Sequence, residues 1–147
     1  MKGSAGKSRQ PKHFGRASAK ANATGRSSTG RRFVSIYHWE MDLPAYRHLS
    51  TYGRALLMEF RKAYNGQNNG EIVMSVRQAA KLINCDKKTA AKKIKELEGK
   101  GWIRNVTEGS LSQKTNKTAS TWRITNQPIG RGVDTPETKE YASWTPR

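Results

Sequence analysis

Cysteine is nearly absent. Cys85 is the only one in 147 residues, which excludes an internal disulfide framework and a zinc site built on paired cysteines. Acidic residues are also scarce, 11 against 28 Lys and Arg, leaving a formal net charge of +17. No stretch approaches the roughly 18 apolar residues of a membrane span. The basic N-terminus lacks the apolar segment of a secretory signal, so a cytoplasmic protein with no membrane contact is expected. Hydrophobic residues make up 34%, low for a chain packed from end to end. One domain with tails fits that balance. His13, His38 and His48 show no metal-ligand spacing. A Gly-rich phosphate loop, a nucleophile motif and paired carboxylates are all missing. The reading is therefore not an enzyme, with no cofactor and no metal. Such a charge at this size points to a polyanion, most simply nucleic acid.

The charge is unevenly spread. Residues 1–32 hold nine positive side chains and no acidic ones, amid Gly, Ser, Ala, Asn and Thr, with Phe14 the only large apolar residue. Such a segment cannot bury enough apolar area to offset its chain entropy, and a disordered basic arm is expected. Residues 33–127 carry sixteen positive and eight negative side chains and show hydrophobic periodicity. Residues 128–147 balance three charges of each sign and hold Pro128, Pro136 and Pro146 beside Tyr141 and Trp144. An extended C-terminal tail is expected there, and the sequence leaves open whether its aromatics dock on the domain.

Within the middle segment, Leu43–Leu49 reads as a short helical turn. Ser50 or Thr51 caps a helix to about Tyr64, with Ala55, Leu56, Met58, Phe60 and Ala63 as its apolar face. Gln67–Gly70 is a polar loop and Glu71–Met74 a short strand candidate. Ser75 caps a helix to about Ile83, with Gln78 at the capping-box position and Val76, Ala79, Ala80, Leu82 and Ile83 facing inward. After the tight turn Asn84-Cys85-Asp86, Asp86 caps a second helix from Lys87 to about Gly99. Ala90, Ile94 and Leu97 form its buried stripe. Gly101 breaks the pattern. Trp102–Thr107 and Ser120–Thr125 read as strands around a polar loop at 108–119, and Trp102 and Trp122 read as core. Tyr37, His38 and Trp39 form an aromatic cluster expected to serve the core or a dimer contact.

Two short helices joined by a three-residue turn, then a hairpin with a long basic loop, are the parts of a winged helix-turn-helix. At about 100° per residue, Lys88, Ala91, Lys92 and Lys95 lie opposite the packing stripe. Lys87 stands at the leading turn, where a recognition helix meets base edges, and Lys93 flanks the face. Lysines at a helix N-terminus and glutamates (Glu96, Glu98) toward its far end oppose the helix dipole. That polarity is what insertion of the leading half into a groove requires.

The stretch SVRQAAKLINCDKKTAAKKIKELEGKGWI resembles the helix-turn-helix of bacterial winged-helix regulators, whose recognition helix ends in Leu-x-x-x-Gly before an aromatic or aliphatic strand. Here those positions are Leu97, Gly101, Trp102 and Ile103. The wider run from Arg54 through Trp122 is similar to small helix-turn-helix proteins of bacterial prophages and other mobile elements. The resemblance implies a mostly α fold with a small β-hairpin wing over residues 33–127. It also implies binding of double-stranded DNA, near the bacterial nucleoid, as a transcriptional regulator or accessory factor. Carried over, Lys87, Lys88, Thr89, Lys92 and Lys95 are the recognition-helix contacts, flanked by Lys93. Arg77 and Gln78 reach backbone phosphate, and Lys114, Asn116 and Lys117 form the wing contacts. Lysine is a poorer geometric reader of bases than Arg or Asn, so strong backbone affinity and modest base specificity are expected. The chain departs from the usual repressor pattern in its long basic arm and in having no obvious ligand domain. Two alternatives stay open: an RNA-binding or ribosome-associated protein, and a replication initiator module. A homodimer is the expected state of a symmetric DNA reader.

Overall fold

The computed structural model describes residues 33–109, 119–129 and 135–146. Residues 33–147 form one compact unit. The expected basic arm at 1–32 and residues 110–118, which include the expected wing contacts Lys114, Asn116 and Lys117, lie outside the described residues.

The unit is mixed, helices against a small antiparallel sheet. Two short helices lead, α1 (His38–Asp42) and α2 (Pro44–Arg47). Pro44 at the first turn of α2 suits a position whose N–H has no helical partner. Helix α3 (Thr51–Ala63) is capped by Ser50, whose Oγ accepts from the Gly53 N–H at 3.1 Å. Leu56, Leu57 and Phe60 are its buried face. Ala55, expected inward, is exposed, and Leu57 takes that place.

Strand β1 (Ile72–Val73) leads to α4 (Val76–Leu82) and α5 (Lys87–Gly99). Ser75 caps α4 by accepting from the Gln78 N–H. Asp86 caps α5 by accepting from the Thr89 N–H at 2.9 Å. Asn84 turns the chain between them at φ 52°, a left-handed conformation that asparagine tolerates better than most residues. Ala79, Ala80 and Ile83 of this hairpin are buried against Ala90, Ile94 and Leu97. Val76 and Leu82 do not face inward as expected; both are exposed. Leu82 lies about 100° around the helix from the buried stripe, and Val76 is the first helical residue, at the margin of the packed surface.

Gly101, at φ 77°, ends α5. Its N–H donates to Glu98 O and the Trp102 N–H donates to Leu97 O, the pairing of a Schellman cap. The chain then enters β2 (Ile103–Thr107) and returns as β3 (Thr121–Ile124). The sheet order is β1-β3-β2, all antiparallel, with Ile72 opposite Trp122 and Ile103 opposite Ile124. The expected two-stranded hairpin is thus a three-stranded sheet, because β1 pairs with β3. Trp122 is buried and its indole N–H donates to Met74 O at 2.9 Å. Asn69, placed by its polarity in a loop, is buried; it accepts from the Ile124 N–H and donates to Ile124 O and Gln127 O.

The C-terminal segment contributes a 3-10 turn (Glu140–Ser143) rather than an extended tail alone. Tyr141 is buried, its ring stacked on Trp102 at 3.9 Å between centroids. Its hydroxyl donates to Glu40 Oε1 at 2.9 Å. Glu40 in turn receives both terminal nitrogens of Arg61, at 2.7 and 2.9 Å. No helix among the described residues is long and apolar enough to cross a membrane.

Candidate nucleic-acid interface

Helix α5 has two faces of different chemistry. Ala90, Ile94 and Leu97 are buried. Lys88, Lys92 and Lys95 project from the opposite side, and Lys87 stands exposed on the first turn. None of these four lysines takes part in an ion pair among the described residues. Burial of the apolar stripe fixes the rotation of the helix, and so fixes the lysine face outward. Ala91 lies at the side of that face and adds little bulk.

The other expected contacts are placed differently. Lys93 is turned toward the fold: its Nζ donates to Glu96 Oε2 at 2.9 Å, and its side chain is mostly covered. The Thr89 hydroxyl donates to Asp86 Oδ2, so it serves the cap. These hydrogen bonds from the Thr89 side chain and backbone N–H hold the Asp86 carboxyl below its ordinary value. Arg77 and Gln78 are exposed on the first turn of α4. The structure therefore brings together Lys88, Lys92 and Lys95 on one helix face, with Lys87 exposed on the first turn and Arg77 and Gln78 exposed on the preceding helix.

The arginines of strands β2 and β3 are engaged elsewhere. Arg104 and Arg123 stand opposite each other on β2 and β3, and both pair with Glu140. Burial pushes the Glu140 carboxyl up, but the hydrogen bond and charge of Arg104 and the charge of Arg123 outweigh it and hold the group low.

Glu96 and Glu98 have structural employment. Glu96 accepts from the Ser50 N–H and Oγ at 2.9 and 2.8 Å, tying α5 to the cap of α3. Glu98 accepts from the Asn105 N–H. The acidic far end of α5 is thus accounted for by tertiary contacts, which corrects its reading as a sign of groove insertion.

Among the described residues no group of three or more His, Cys, Asp or Glu is placed to hold a metal ion. An open depression lined by Gly99, Ser143, Trp144 and Thr145 lies at the C-terminal end of α5 and brings in no titratable side chain. No family model, curated protein or solved structure matches the chain.

Proposed function

We propose that this chain is a winged helix-turn-helix protein that binds double-stranded DNA. The observation that carries the reading is the unpaired lysine face of α5, set opposite a buried stripe and supported by a packed preceding helix. The order helix, strand, helix, helix, strand, strand, with the first strand against the last, supports it as well. In this reading α5 enters the major groove by its leading half, the wing follows the backbone, and the basic arm adds salt-sensitive affinity. The resemblance to proteins of bacterial phages and mobile elements makes a transcriptional regulator or accessory factor the role that fits.

Selection from a random DNA library at about 0.15 M salt, with structured RNA as competitor, tests it. An enriched motif is expected, and a palindrome would add a dimer. Tight binding that enriches no sequence, or that RNA displaces outright, would replace this reading with that of a backbone or RNA binder. On a preferred site, Lys88→Ala with Lys92→Ala should weaken binding more than Lys114→Ala with Lys117→Ala. Equal losses on every sequence would mean non-specific clamping.

A further inference from the structure

Of the ten large apolar side chains exposed among the described residues, five fall within nine positions: Phe33, Val34, Tyr37, Trp39 and Met41. Two of these are the outer members of a column of rings. Trp102 and Tyr141, both buried, stack at 3.9 Å and 8°. Trp39 follows Tyr141 at 6.1 Å and 22°, and Tyr37 follows Trp39 at 6.4 Å and 14°. The column starts in the core and ends on two rings that are 44% and 58% exposed.

Charge selects what these rings would receive. The acidic groups around the column are already matched by cations: Glu40 by Arg61, Asp42 by Arg47, Glu137 by Lys139, and Glu140 by Arg104 and Arg123. Lys139 Nζ also lies 6.0 Å from the Trp39 ring centroid. Residues 1–32, which run directly into this segment, carry nine cations and no acid. A second copy of the chain would bring the same surplus of positive charge. A polyanion with planar apolar faces answers both features, because nucleobases stack on aromatic rings while cations hold the phosphates between them.

We propose that Tyr37 and Trp39 form a stacking platform for unpaired nucleotides, a second nucleic-acid site beside the lysine face. The column is anchored at Trp102, just past the C-terminal end of α5, whereas Lys87 and Lys88 begin that helix. Its 13 residues span about 20 Å. This site does not depend on α5 entering a groove.

The test measures binding of the full-length protein to a strand of about 20 thymidines and to a duplex of about 20 base pairs, by fluorescence anisotropy. Tyr37→Ala with Trp39→Ala should weaken strand binding about tenfold or more and leave duplex binding within about twofold. The salt dependence should keep its slope, since no cation is removed. Tyr37→Ala alone removes only the outermost ring and leaves Trp39 on Tyr141. It should lose several-fold in strand binding at an unchanged melting temperature, a readout that survives if the double variant is unstable. Unchanged strand binding in both variants would overturn the proposal. So would a wild-type protein that binds duplex but no strand, or a double variant that turns a dimer into a monomer in light scattering. A protein that binds strand but not duplex, with the strand lost in the variants, would support the platform and refute the groove reading instead.

Discussion

Glu40 is a carboxylate with no exposed surface, 21 residues from Arg61 and 101 from Tyr141, both of which donate to it. Burial pushes its carboxyl up. The hydrogen bonds and charge of Arg61, the Tyr37 N–H and the Tyr141 hydroxyl more than offset this, so the group lies below its ordinary value of 4.5. The same direction holds for Glu96, where burial is outweighed by Ser50 and Lys93. A carboxyl whose folded pKa is lowered contributes stability that is full above the unfolded value and is lost as pH falls through the folded one. Resistance to urea should therefore decline as pH drops below about 4.5. Glu40→Gln should flatten that acid limb, and at neutral pH it should cost about 3–5 kcal/mol by leaving Arg61 buried and uncompensated. Parallel acid limbs in the two proteins would refute the assignment. Sequence could not reveal this pair, because a lone Glu in HWEMD carries no sign of partners so distant. Gly101 was legible as a break, and its structural reason is specific. A Cβ there would meet the backbone of Glu140 and Tyr141 at 2.8 Å, at φ 77°. Gly99 is helical with nothing within 4 Å of a Cβ. Gly101→Ala should lower the melting temperature, while Gly99→Ala should raise stability by about 0.5–1 kcal/mol. Equal shifts of either sign would contradict the packing described.

At the scale of elements, α4 and α5 were readable because capping residues and apolar spacing agree. Ser75 and Asp86 cap them as expected, and Ala90, Ile94 and Leu97 are buried. Helix α1 was not anticipated, since five residues give no period and its stability comes from Glu40 in the core. The lysine face followed from the helical wheel, with Lys93 at its flank; what a wheel cannot foresee is that Lys93 pairs with Glu96 one turn on. Glu96 shows the same limit: its charge was read along its own helix, whereas, besides Lys93, it accepts two hydrogen bonds from Ser50, 46 residues away. These two classes of residue on α5 should separate experimentally. Glu96→Ala should cost about 1–3 kcal/mol in urea denaturation, since hydrogen bonds to a charged acceptor are lost, and leave nucleic-acid affinity nearly unchanged. Lys92→Ala should weaken nucleic-acid binding and leave the unfolding midpoint where it was. If Glu96→Ala destabilises nothing, the link between α5 and the α3 cap has been misjudged.

Across the whole molecule, composition argues for a class of partner but says little of the architecture. A +17 chain of this size favours a polyanion regardless of fold. What composition could not show is that the C-terminal segment closes the unit through Tyr141, because that contact needs Trp102, Glu40 and Tyr141 to meet from three parts of the chain. The charge is also divided between two regions with different consequences. The lysine face is fixed on a packed helix, whereas residues 1–31 supply eight further cations by composition alone. If those cations meet phosphates, each one engaged on duplex DNA steepens the fall of log K with log salt by about 0.9. Deleting residues 1–31 should then flatten the slope by about two units or more and weaken binding most at low salt. The melting temperature should hold, since residues 33–147 form their own compact unit. The same deletion should leave the ranking of DNA sequences intact, because base contacts belong to α5 in this reading. Binding isotherms at three or four salt concentrations decide the matter. An unchanged slope would assign the affinity to the lysine face alone and leave the arm no part in binding.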